Sequence, residues 1–297
     1  MDKGLAGIYE NLVKYLLGIV AVTSVLILLL IFYFLIREGA GLFSHVSLPG
    51  FIFGTEWLPD AEPPRFGALP LITGSLVVTT GAGIIAISIG IGIAVFLAEV
   101  APRSVREVAK AVIELLAGIP SVVYGFLGLT VLAPLIKDML NLPSALCAFT
   151  ASIVLGIMAL PTVVSISEDA LDAVPREYRE ASLALGATKW ETTWRIVVPS
   201  ARSGLLAASM LGLGRAIGET MAVLMVAGNA TLIPHSIFDP VRTITADIAA
   251  EMGETVHGGL HYQALFGLGI VLFSITFFIN MVTDIVFART SSKRGAS

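Results

Sequence analysis

The chain has 297 residues, 56% of them hydrophobic and 13% charged, with a formal net charge of -4. Its apolar residues run together in long blocks, which excludes a water-soluble globular domain and predicts an all-α polytopic membrane protein. A single cysteine, Cys147, lies inside an apolar run and excludes a disulfide framework or a cysteine-ligated cluster.

In chain order, a cytosolic segment 1–15 leads into a first span at 16–36, long enough at roughly 20 residues per crossing. A removable leader would have a shorter apolar core and a small-residue cleavage site, whereas Arg37 and Glu38 follow directly here, so the span is expected to be retained. The outer loop 37–68, with Trp57-Leu58-Pro59 and Pro63-Pro64, is expected to be ordered by turns more than by helices. A second span at 69–98 carries five glycines, a composition that lets it pack against protein on more than one side. After a short cytosolic loop 99–111, a third span at 112–136 contains Pro120, and a fourth at 145–166 contains Pro161. Each proline removes a backbone donor and is expected to kink its helix, either as plain structure or with freed carbonyls lining a path.

The stretch 167–203 is the longest polar interruption with a helical pattern, and it mixes acids with five basic residues. It reads as a water-facing loop between two spans. Residues 176–185 form strong helix-forming sequence with Pro175 in its first turn, and Gly186 is placed to end it. A second run, 188–198, is expected to set Trp190, Trp194 and Val197 or Val198 on one apolar side. Such an element suits either a groove on a soluble partner or the lipid headgroups. Glu180-Ala181-Ser182, three residues, Gly186, nine residues, Ile196, two residues and Pro199 resemble the coupling-loop signature of ABC-importer permeases, with Ser182 and Val198 as size-conservative departures. That resemblance implies docking on an ATPase.

A fifth span is expected at 204–227, an outer loop at 228–263 with a short helix in 244–254, a sixth span at 264–287 and a cytosolic tail at 288–297. With both ends inside, thirteen basic residues from Lys3 to Arg294 face the cytosol, against Arg37, Arg65, Lys137 and Arg242 outside. The permease core would then be 69–287.

The fifth span carries Arg215 and Glu219. A charge at mid-membrane costs about 2.5–3.5 kcal/mol on insertion scales, so both should face the bundle interior. At i,i+4 in one helix they would share a face and pair, with Ala208, Gly212, Gly218 and Ala222 leaving room beside them. The pair fits either an anion path, where a guanidinium fork matches phosphate oxygens, or a structural ion pair. His257 and His261 would need a third ligand to bind a metal, and no G-x-x-x-x-G-K-[ST] occurs to bind a nucleotide.

The runs AGIPSVVYG at 117–125 and GLGRAIGETMAVLMVAGN at 212–229 resemble the permeases of the Pst phosphate ABC importer, with GETMAV pointing to the PstC-type subunit. The resemblance implies a type I permease fold, a substrate path at Arg215 and Glu219, and ATPase coupling through Glu180, Ala181, Gly186, Ile196 and Pro199. The implied partners are a PstA-type permease, two PstB-type ATPases that hold ATP and Mg, and an external PstS-type phosphate-binding protein. No cofactor is expected in this chain. The outer segment 240–254, with Asp247 and Glu251 as contact charges, is expected to meet that binding protein. Importers of sulfate, molybdate or tungstate share the coupling loop, and an ion-coupled anion transporter would use the same Arg215 and Glu219 differently.

Overall fold

The computed structural model describes the backbone of residues 3–292 and the side chains of residues 12–281. The side chains of Lys3, Arg289, Lys293 and Arg294, and residues 293–297 of the tail, lie outside the described residues. Within them, six helical stretches are long and apolar enough to cross a membrane: Leu12–Ser44, Leu69–Val100, Ser121–Leu140, Ala148–Asp172, Lys189–Ile217 and Leu260–Met281. The chain is an all-α, multi-pass membrane protein.

Helix α1 (Lys3–Gly39) takes in residues 3–15 of the segment expected to be a separate cytosolic one. It stands at the edge of the molecule and leans on the last helix, α13 (Leu260–Ser292), through Phe32 on Phe273 and Phe34 on Phe266. The outer loop departs from the expectation of turns: it holds a 3-10 turn (Ala40–Ser44), α2 (Leu48–Phe53), and a hairpin of β1 (Trp57–Leu58) and β2 (Arg65–Phe66). Ser47 caps α2 by accepting from the Gly50 N–H, and Phe51, Trp57 and Phe66 are buried against Ile244, Leu265 and Leu268. Aromatic burial supplies the order that turn residues alone would not.

The centre is built by α3 (Leu69–Val95), α7 (Ala148–Asp172) and α10 (Val198–Ile217), packed at close range. Small residues make this possible. A Cβ on Gly212 would lie 2.5 Å from Val163 Cγ2, so α10 meets α7 there only because position 212 has no side chain.

The third span differs from its prediction. Residues 103–118 form an amphipathic helix, α4 (Arg103–Gly118), and the span proper is Ser121–Leu140, made of α5 (Ser121–Leu127), a wide π-helical turn and α6 (Ala133–Leu140). The expected loop 99–111 is therefore helix over most of its length. Arg106 and Lys110 on one side of α4 reach the buried Glu168 of α7 at 2.5 and 3.3 Å, and Arg106 also pairs with Asp172. Val105, Val108, Val112 and Leu115 recur at helical spacing on its exposed side. Pro120 does not kink a helix. Its ψ of 140° places it as the extended cap that starts α5, where a missing N–H costs nothing. Pro161 does lie inside α7, buried, and the helix runs on through it to Asp172.

Candidate functional site

Arg215 occupies the last turn of α10, which ends at Ile217. The fifth span is not the continuous helix 204–227: the chain breaks over 218–220 and resumes as α11 (Met221–Val226). A break at this depth requires every freed backbone group to find a partner. Glu219 meets part of that need, since its Oε1 accepts from the Ala222 N–H at 3.1 Å and its carbonyl accepts from Thr245 Oγ1 at 2.7 Å. Thr245 belongs to α12 (Ile244–Glu251), so the outer segment fixes the break from outside.

The break overturns the expected i,i+4 pair. Arg215 and Glu219 are not on one helical face, and no ion pair joins them among the described residues. Arg215 Nη1 instead donates to Thr162 Oγ1 of α7 at 3.2 Å, one residue beyond Pro161. Tyr124 of α5 donates its hydroxyl to the Leu116 carbonyl at 2.8 Å, tying α5 back to α4. Ala208 and Gly212 are buried below Arg215 on α10, as a face of small residues requires. Gly218 is exposed at the break, and Ala222 packs toward Gly125 of α5, where an added Cβ would lie 2.9 Å from the Ala222 Cα. Sequence reasoning missed Thr162 because no local pattern marks it.

At the other end of the bundle lies α8 (Arg176–Ala184), which buries none of its residues. Glu180 and Ala181 are exposed on it. Gly186 N–H donates to the Leu183 carbonyl and Ala187 N–H to the Ser182 carbonyl, the two bonds of a Schellman ending, and Gly186 holds the left-handed φ of +86° that this ending needs. Thr188 and Glu191 form a capping box that starts α9 (Lys189–Thr192), and Ser182 Oγ lies 2.9 Å from Thr192 Oγ1, tying the two short helices. Ile196 is half-buried in a π-helical turn (Thr193–Val197), and Pro199 is exposed in the first turn of α10. That wide turn breaks the predicted stripe: Trp190 and Trp194 stay exposed with ring centroids 5.4 Å apart, while Val197 is fully buried.

One side chain anchors α8 to the bundle. Arg179 donates from Nη2 to Glu99 Oε1 at 2.8 Å and to the Leu171 carbonyl at 2.9 Å, and from Nη1 to the Val174 carbonyl at 2.5 Å. It thereby holds the last turn of α7, the segment just after it and the end of the second span together.

The outer segment also departs from its prediction. Asp247 and Glu251 are not free contact charges. Arg242 Nη1 donates to Asp247 Oδ1 at 3.0 Å and to Glu251 Oε1 at 2.8 Å; Trp57 Nε1 and His261 Nε2 both meet Glu251 Oε2, at 3.2 and 2.8 Å. His257 lies against the Tyr262 ring. Asp247 is fully buried, and its Oδ2 has no partner among the described residues. Burial, with the Glu251 carboxylate beside it, pushes the Asp247 carboxyl up to about 7, against the pull of Arg242.

This sets a pH dependence. A carboxyl whose pKa is raised on folding binds a proton more tightly in the folded state, so stability falls as pH rises from about 4 to about 7 and is level above. Thermal unfolding of the detergent-solubilised protein is expected to show wild type losing about 5 °C between pH 5 and pH 8, with Asp247→Asn nearly flat. Equal slopes for the two proteins would contradict this assignment.

Residues 90–293 match the family described as "Binding-protein-dependent transport system inner membrane component". The chain is 40% identical over 294 residues to "Phosphate transport system permease protein PstC" of Mesorhizobium japonicum, covering 92% of this chain and 89% of the relative. It is 43% identical over 236 residues to "Probable ABC transporter permease protein YqgH" of Bacillus subtilis, covering 80% and 76%. Among solved structures, a chain of a bacterial alginate ABC transporter in complex with a pentasaccharide-bound periplasmic protein superposes with a TM-score of 0.66 at 15% identity, over 93% of this chain and 94% of that one. A chain of the MetNI methionine ABC transporter, inward facing, does so at 0.59 and 18%, over 77% and 99%. At these identities the structures show a shared fold.

Proposed function

Because the chain belongs to the family of binding-protein-dependent transport system inner membrane components, we propose that it is the permease subunit of an ATP-driven importer of inorganic phosphate and forms half of the path. The observation that carries the substrate is the similarity to PstC-named permeases along nearly the whole chain. The geometry supports it with one cation, Arg215, placed in the bundle beside a neutral hydroxyl. Hydrogen phosphate arrives with one or two negative charges, and the guanidinium fork offsets part of the cost of stripping its water.

The complete importer, on this reading, adds a PstA-type permease, two PstB-type ATPases and a PstS-type binding protein outside. ATP and Mg belong to the ATPases, and this chain supplies no catalytic group. Both chain ends face the cytosol, as the basic residues of its loops favour. Glu180, Ala181, Gly186, Ile196 and Pro199 would then form the surface and turn presented to the ATPase, with α8 as the docking helix. Purified from membranes, the chain is expected to retain an ATPase whose hydrolysis rises several-fold with phosphate-loaded binding protein. Stimulation by a sulfate- or molybdate-loaded protein instead would overturn the substrate, and absence of any associated ATPase would overturn the class.

A further inference from the structure

We propose that Thr162 is a positioning residue of the phosphate path: its hydroxyl orients the Arg215 fork without neutralising it, leaving the charge for the passing oxyanion. The inference rests on the reading of Arg215 given above. Among the described residues four arginines are partly buried, Arg106, Arg179, Arg215 and Arg242. Three of them meet carboxylates: Arg106 with Glu168 and Asp172, Arg179 with Glu99, and Arg242 with Asp247 and Glu251. Arg215 alone of the four meets a hydroxyl.

That difference has an electrostatic consequence. A carboxylate at the position of Thr162 would cancel the field that draws an anion inward, and a passing phosphate would have to displace it. A hydroxyl engages one of the five donors, fixes the plane of the guanidinium and costs no charge. The hydroxyl is also arranged differently from its neighbours in other helices. Thr73, Thr130, Ser209 and Thr276 each donate to the carbonyl four residues back, the usual way for a helix to absorb such a group. Thr162 Oγ1 accepts from Arg215 instead, and no acceptor holds its own proton among the described residues. Its O–H therefore adds a neutral donor beside the fork, a combination suited to a tetrahedral oxyanion. Thr162 follows Pro161 in α7, whose end Arg179 of α8 grips, so the hydroxyl stands on a helix tied to the coupling loop.

The test uses the whole importer reconstituted in vesicles, with phosphate moved per ATP hydrolysed as the readout. Thr162→Ser should stay within about twofold of wild type, and Thr162→Val, equal in size but without the hydroxyl, should lower the ratio about tenfold. Thr162→Glu should abolish uptake while ATP hydrolysis persists, and Thr162→Gln, the same size without charge, should resemble Thr162→Val. Wild-type transport by Thr162→Val would overturn the proposal, as would equal loss in the Glu and Gln variants, which would make size the cause. Arg215→Gln runs alongside: if it transports normally, the reading of Arg215 fails as well, whereas loss there with an unaffected Thr162→Val removes Thr162 alone.

Discussion

Arg215→Gln is expected to lower phosphate uptake about 100-fold or more while the complex still assembles and hydrolyses ATP. A charge-assisted hydrogen bond is worth about 1.5–3 kcal/mol, and a bidentate one with the Coulomb attraction of a desolvated site lies at or above the upper end. About 2.7 kcal/mol corresponds to 100-fold. Glutamine is shorter than arginine and leaves the packing of Ala208 and Gly212 on α10 untouched, so assembly should hold. Arg215→Lys keeps the charge and loses the fork, and should fall between. Glu219→Gln is expected to cost far less, because an amide oxygen can replace the carboxylate as acceptor of the Ala222 N–H. Glu219→Leu cannot, and should impair the subunit by loosening the break itself. Uptake by stopped-flow or filtration, normalised to assembled complex and ATPase rate, separates these outcomes. Normal transport by Arg215→Gln, or equal loss in Glu219→Gln and Glu219→Leu, would contradict the roles assigned.

Gly186→Val is expected to uncouple the importer, lowering uptake about tenfold at normal membrane levels while ATP hydrolysis continues. The backbone at Gly186 has φ +86°, a region that costs an L-residue roughly 1–2 kcal/mol and a β-branched one more. Space is not the obstacle, since an added Cβ would meet nothing within 4 Å. The loss is instead of the Schellman ending, so α8 would unwind at its last turn and shift the Ser182–Thr192 contact that ties it to α9. Gly186→Asn is the control. Asn tolerates the left-handed region and should transport within about twofold of wild type. If Val and Asn behave alike, backbone strain is not what matters at this position.

Much of the fold was legible because membrane spans announce themselves by length and apolarity. Six spans and the all-α class follow from that single rule, and Gly186 was readable because a helix-forming run followed by glycine has few other meanings. The errors share a cause. Pairing Arg215 with Glu219 assumed a continuous helix, yet the break at 218–220 is held by Thr245, an outer-segment residue 26 positions along the chain. No local pattern carries that information. Apolar content without phase hides α4: Val105, Val108, Val112 and Leu115 alternate with Arg106 and Lys110 around one amphipathic helix, and Pro120 marks its end instead of a kink. Asp247 and Glu251 looked solvated because acids in a polar loop usually are. Arg242, Trp57 and His261 converge on them only in three dimensions.

Whether this chain lines a phosphate path driven by ATP is tested most directly by labelled phosphate uptake into vesicles holding the complete importer, with ATP inside. Phosphate-loaded binding protein is supplied outside, with and without excess sulfate or molybdate. ATP-dependent accumulation that excess sulfate and molybdate leave unchanged, and that Arg215→Gln removes, is the predicted result. Uptake that proceeds without ATP, or that sulfate or molybdate suppresses as strongly as unlabelled phosphate does, would contradict it.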